Sequence, residues 1–437
     1  MIGADAVVSA LHKLGVTHVF GIVSIHNMPI FDAIRRDGSI QIIDCRHELA
    51  ATHAADGYAR ATGITGVVIA STGPGTTNTV TGLYEAQYAS SPVLLITGQI
   101  ETRFYGKAQG YVHEAESQLA MLRTVTRRSE SIRFATEIEP TLLSVASDLN
   151  TGRPSSGAVE IPIDLQYESV APSNAVFSPA PVPVLTEFDA QLSAALDLIA
   201  SSRKRIIIAG GGVTYGGACE ALIRLAEKLG APVFTTPNGR GAISETHPLS
   251  IGNLYQSRKL HAAMADADLT IAIGTRFQVG VGGTGAALRP AGKLLHIDID
   301  PSVINRVHRA DVALVGDVNN LLPRLDQLMN PEPADTAFVS RMQTENRTLR
   351  VTLRNRLGDD YEGILDTLRS GAPDDTIFVR DSTVPAYNFA NQLLPILIPR
   401  TFIGPSSSAI GPAMPLAIGV AAGSGKKTVV IHGDGGF

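Results

Sequence analysis

Residues 44–78 read DCRHELAATHAADGYARATGITGVVIASTGPGTTN, a strand end running into a helix and then a second strand running into a turn-rich loop. Ala50, Ala51, Ala54, Ala55 and Tyr58 recur at helical spacing and predict an amphipathic helix just after a short strand. An alanine-rich face packs closely, so Glu48 is expected at a firmly held strand-to-helix junction. Gly66–Ala70 reads as a buried strand. Residues 71–78 read as a turn-rich loop in which Gly73 and Gly75 let a ligand come close to backbone. A carboxylate closing one strand and Gly-Pro-Gly closing the next predict a cleft along one edge of the sheet.

Outward from this stretch, strand and helix patterns alternate. Residues 4–14 predict a helix, and 17–21, 41–44, 93–97 and 158–163 predict strands, which is the signature of a doubly wound sheet. Proline-rich sequence at 172–183 (PSNAVFSPAPVP) marks a linker. A second α/β unit follows, with strands expected at 205–209, 233–236, 269–273 and 294–299, a glycine turn at 210–212 and a helix across 217–230. NPEPADT at 330–336 is the next linker, and a charged helix at 341–356 leads to a third unit with strands at 376–379 and 428–432.

The 437 residues suffice for several cores, with 44% apolar residues. No apolar run reaches the roughly 18–20 residues of a membrane span, and MIGADAVVSALHKLG lacks the layout of a signal peptide. Two cysteines, Cys45 and Cys219, argue against a disulfide framework and for a reducing cytoplasmic location. A net charge of −5 with mixed signs provides no basic face for nucleic acid.

RHE, ADGYARATG and STGPGTTN, continued through Leu83, Glu85 and TGQI at 97–100, resemble the pyrimidine-binding domain of thiamine diphosphate enzymes, nearest to the acetolactate synthase-like group. TTPNGRGAISETHPLSIG at 235–252 and HIDIDP at 296–301 are similar to that family's central domain. SSSAIGPAMPLAIG at 406–419 and GDG at 433–435 are similar to its pyrophosphate-binding domain. The resemblance implies an α/β chain of three doubly wound parallel-sheet domains. These are pyrimidine-binding (1–170), central (186–330) and the start of pyrophosphate-binding (358–437), the third expected to be truncated because the sequence ends at Phe437 inside its metal motif.

The resemblance further implies an enzyme using thiamine diphosphate and Mg2+. It would decarboxylate a 2-oxo acid and ligate the product to a second carbonyl, working as a homodimer or homotetramer without nucleic acid or membrane. Glu48 takes the place of the glutamate that hydrogen-bonds the pyrimidine ring. Gly73, Pro74, Gly75 and Asn78 are implied to bind the cofactor with it, Ile410 takes the place of the apolar prop under the bent cofactor, and Asp434 between the cofactor-binding Gly433 and Gly435 takes that of a metal ligand. Ser406 and Ser408 stand where relatives have glycines, with hydroxyls able to bond phosphate. His26, in GIVSIHNMP, and His113, in GYVHEAES where acetolactate synthases have Gln, are candidate proton donors. FAD is implied for the central domain, but Gln278-Val279 stands where the family has an acidic pair, which speaks against it. Two other readings remain. One is a decarboxylase or C–C lyase that does not ligate; the other is an inactive fragment or split subunit completed by a partner.

Overall fold

The computed structural model describes residues 1–180, 188–253, 258–278 and 290–437. The chain divides into two compact units, Met1–Pro181 with Gly404–Val430 and Gly435–Phe437, and Val182–Ile403 with Ile431–Asp434.

The first unit is built on six parallel strands: β1 His18–Gly21, β2 Gln41–Asp44, β3 Gly66–Ala70, β4 Val93–Gln99, β5 Arg128–Ser131 and β6 Ser156–Pro162. Their order is β2-β1-β3-β4-β6-β5, with β1 in register against both β2 and β3. The chain therefore reverses direction across the sheet between β1 and β3. At such a reversal the connections leaving the carboxyl ends of the strands part and leave a crevice. The loops after β1, β2, β3 and β4 carry His26, Glu48, Gly73 and His113, so topology alone gathers four dispersed motifs at one sheet edge.

Two expectations are corrected here. The Glu48–Thr62 helix is not amphipathic: every residue from 51 to 60 is buried, including His53, Asp56 and Arg60. The reason is a second helix, Ala413–Ser424, lying on the side that would otherwise face water. A Cβ on Gly57 would stand 2.0 Å from the Leu416 carbonyl oxygen, and one on Gly419 1.7 Å from that of Ala54, so the two backbones touch. The second correction concerns residues 71–78, which are not a loop throughout. A helix, Pro74–Ala89, starts inside them, with Gly73 as its N-cap. Proline suits the first helical position because its φ is preset and its missing N–H would have had no partner there.

The second unit has the order β12-β11-β10-β7-β8-β9, again parallel. Its strands are β7 Arg205–Ala209, β8 Val233–Thr235, β9 Ser250–Gly252, β10 Leu269–Ile273, β11 Lys293–Asp298 and β12 Val312–Val315. β5, β9 and β12 escaped the sequence pattern, being edge strands of three or four residues. A third sheet, ordered β14-β13-β15, comprises β13 Ile377–Arg380, β14 Phe402–Ile403 and β15 Thr428–Ile431. The charged helix before it runs Thr336–Arg354, five residues earlier at its start than the charge pattern suggests. Asp335 accounts for this, its side chain accepting the Phe338 N–H as an N-cap 2.9 Å away. Both cysteines are free, and among the described residues no helix is long and apolar enough to cross a membrane.

Candidate active site

Glu48 is the first residue of its helix, where the aligned peptide dipoles favour negative charge. His47 caps that helix, its Nδ1 accepting the Leu49 N–H at 3.2 Å, and Gly63 closes it with φ 80°. The Glu48 carboxylate is half-buried. Asn78 Nδ2 donates to Oε2 at 3.0 Å, and Oε1 takes no hydrogen bond among the described residues. Gly75 keeps that oxygen approachable, because a Cβ there would lie 3.2 Å from it and 2.9 Å from Ser71 Cβ. Gly73 has φ 62°, and a Cβ on it would stand 2.6 Å from the His113 carbonyl oxygen.

The two histidines flagged in the sequence lie together. His26 is 1% exposed, its ring centroid 5.4 Å from that of His113 and edge-on to Tyr111. Ser71 Oγ lies between them, 3.5 Å from His26 Nδ1 and 3.3 Å from His113 Nδ1. His26 Nε2 is buried without a hydrogen-bond partner. Burial, and then the neighbouring His113, pull the His26 pKa below the ordinary histidine value and keep its ring neutral. His113 itself is exposed and holds φ 63°, a conformation a histidine adopts only at some cost.

Sequence reasoning missed the support behind this edge. Gln118 Oε1 accepts the Gly73 N–H at 2.7 Å and the Thr72 hydroxyl at 3.1 Å, while its Nε2 donates to Glu160 at 2.8 Å. Glu160 is fully buried, and burial pushes its carboxyl above the usual carboxylate range. A lone glutamate in the apolar run AVEIP was the available signal.

Segment 404–412 also belongs to the first unit. Ser408 holds a left-handed φ of 67°, a conformation a serine adopts only at some cost. Ile410, the residue in the place of the apolar prop, is 70% exposed. Gly433 lies against Thr383, and Asp434 begins a short 3₁₀ turn as an exposed carboxylate. Among the described residues no three His, Cys, Asp or Glu side chains form a metal cluster. One carboxylate is what Mg2+ commonly takes when phosphate oxygens supply further ligands. In the central sheet Gln278 is described, whereas Val279 lies outside the described residues.

An open carboxylate oxygen beside a glycine, at a parallel-sheet crevice, suits a heterocycle presenting a ring nitrogen. Two family descriptions match the chain: "Thiamine pyrophosphate enzyme, N-terminal TPP binding domain" over residues 1–121, and "Thiamine pyrophosphate enzyme, central domain" over 192–325. The chain is also 34% identical to a probable acetolactate synthase large subunit of Methanocaldococcus jannaschii, covering 100% of this chain and 76% of that protein. Identity is 32% to the acetolactate synthase large subunit of Corynebacterium glutamicum and to the isozyme 2 large subunit of Escherichia coli. All of this chain is covered in both, with 71% and 79% of those proteins. The chain thus belongs to the thiamine pyrophosphate enzymes, in the family of the acetolactate synthase large subunits.

Proposed function

We propose that the protein decarboxylates a 2-oxo acid and ligates the resulting fragment to a second carbonyl compound, with thiamine diphosphate and Mg2+ as cofactors. The observation that carries this is the Glu48 carboxylate at a helix start, oriented by Asn78 and left open at Oε1 beside Gly75. When bound, thiamine diphosphate supplies the carbanion chemistry that breaks and makes bonds next to a carbonyl. Glu48 Oε1 would hold the proton shared with the pyrimidine ring. Gly73 and Gly75 would leave room for the ring, Ile410 would support it, and Ser406 and Ser408 would be the candidates for its phosphates. Asp434, between Gly433 and Gly435, would hold the metal.

His26 favours ligation over simple release of an aldehyde. A neutral imidazole is a poor acid for quenching a carbanion, but its Nε2–H can donate to the oxygen of an acceptor carbonyl while Nδ1 faces Ser71. The competing reading, protonation to a free aldehyde, draws on the exposed His113 as the acid. Incubation with pyruvate separates them: ligation yields a 2-hydroxy-2-methyl-3-oxo acid, and free acetaldehyde alone would overturn our reading.

Further proposals follow from the family resemblance. Domain limits are 1–170, 186–330 and 358–437, and the working unit is a homodimer or its doubled tetramer in the cytoplasm. Exposed Tyr84, Ile410 and Ile418 on the first unit support association. Sedimentation at several concentrations tests the assembly, and flavin absorbance of the purified protein tests the central domain for FAD.

A further inference from the structure

Beneath the 404–410 segment lies a buried charge network that the reaction does not use directly. Asp56, Arg60 and Glu85 are 0%, 2% and 1% exposed. Arg60 Nε and Nη2 clasp both oxygens of Asp56, at 2.9 and 2.5 Å, and Nη2 also donates to Glu85 Oε1 at 2.8 Å. Arg60 Nη1 reaches the Gly404 carbonyl oxygen at 2.8 Å. Glu85 in turn accepts the N–H groups of Ser406 and Ser407 at 2.6 and 2.9 Å, together with the Ser407 hydroxyl. Four bonds thus hold three residues, Gly404, Ser406 and Ser407, of a segment far along the chain, directly before the strained Ser408.

The chemistry of Glu85 suits this. Burial alone would push its carboxyl up. The Arg60 charge and the donors from Ser407, Arg60 and Ser406 outweigh burial and hold it below the ordinary glutamate value, so it stays ionised. A neutral amide in its place would present an N–H to a peptide N–H. The Ser407 hydroxyl, within the stretch that resembles the phosphate-contacting segment, is spent on Glu85.

We propose that Glu85, with Arg60 and Asp56 behind it, is a positioning residue for thiamine diphosphate. It fixes the peptide planes of 404–407 so that Ser408 and Ile410 are presented to the cofactor in one conformation. This rests on the cofactor role proposed for Ser406, Ser408 and Ile410. A purely structural ion pair would lower stability without altering cofactor affinity, and the Arg240–Glu245 pair provides that comparison within the same chain.

The test titrates thiamine diphosphate with Mg2+ calorimetrically into wild type, Glu85→Gln, Ser407→Ala, Ile410→Ala and Glu245→Gln, alongside amide hydrogen exchange of 404–408. Glu85→Gln is expected to weaken binding about tenfold or more and to speed exchange at Ser406 and Ser407. Ser407→Ala, which removes one donor and no charge, is expected to do the same about threefold and serves if Glu85→Gln does not fold. Glu245→Gln should leave affinity unchanged. Weaker binding by Ile410→Ala but unchanged affinity for the Glu85 and Ser407 variants would overturn the positioning role alone. Unchanged affinity for Ile410→Ala as well would overturn the cofactor reading beneath it.

Discussion

Arg60–Glu85 in the first unit and Arg240–Glu245 in the second are built alike. The members of each pair stand 2.8 and 2.7 Å apart, and all four side chains are buried. Each guanidinium also donates to backbone far along the chain, Arg60 to Gly404 and Arg240 to Ala390 and Leu394. They differ in what they hold. The Arg240 pair secures residues 390–396, which carry no candidate cofactor contact, and Glu245 meets Ile396 through its own backbone as well. The Arg60 pair secures the run into Ser408 and Ile410. One ion-pair chemistry thus serves two purposes, and the segment at its far end decides which. Buried charge by itself is no guide to a functional site, since removing either partner is costly wherever it lies.

The comparison can be broken most decisively at the chemistry of the first unit. Glu48→Gln should reduce exchange of the cofactor C2 proton by about two to four powers of ten, with unfolding midpoint unchanged, read by NMR exchange and calorimetry. Unaltered exchange would remove the first unit's claim to the reaction. In the second unit Glu245→Gln should cost about 3–5 kcal/mol of stability, the usual penalty for stranding a buried charge, measured by denaturant unfolding. A loss below about 1 kcal/mol would show that the Ala390 and Leu394 carbonyls already suffice to hold the Arg240 charge.

A subtler contrast lies in pH. His26 has a lowered pKa in the folded chain, so the unfolded chain binds the proton first as pH falls. Its stabilising contribution is complete above the unfolded value of about 6.5 and is lost as pH falls below that toward the folded pKa. His296 in the second unit is lowered by burial in the same way. His26→Gln should therefore flatten part of the decline in stability as pH falls below about 6.5, and His296→Gln another part. The smallest effect is expected at Ser408. Ser408→Gly relieves a left-handed φ of 67° and should stabilise the protein by about 1 kcal/mol in thermal unfolding. Destabilisation instead would mean that its hydroxyl anchors the segment.

Much of this was legible in advance. The inner strands β3, β7 and β10 announce themselves as apolar runs, because a strand covered on both faces has no polar side to show. The Glu48 and Gly-Pro-Gly motifs were equally plain. Their placement at neighbouring strand ends followed from alternation of strand and helix. The helix starting at Pro74 was hidden by residues that serve turns and helix starts alike. The burial of Asp56 and Arg60 was hidden because their cover comes from residues 413–424, which no local window includes.

The sequence by itself determined the α/β class, the family and the short list of chemical groups, since each of these is written in local spacing and motif. Tertiary structure alone decided that Ser71 stands between His26 and His113, that Gln118 and Glu160 back Gly73, and that Glu85 grips Ser406 and Ser407. These contacts join residues 42 to more than 300 positions apart. Periodicity reports only which way a side chain points along its own element; what it meets there is set by the order in which strands and helices pack.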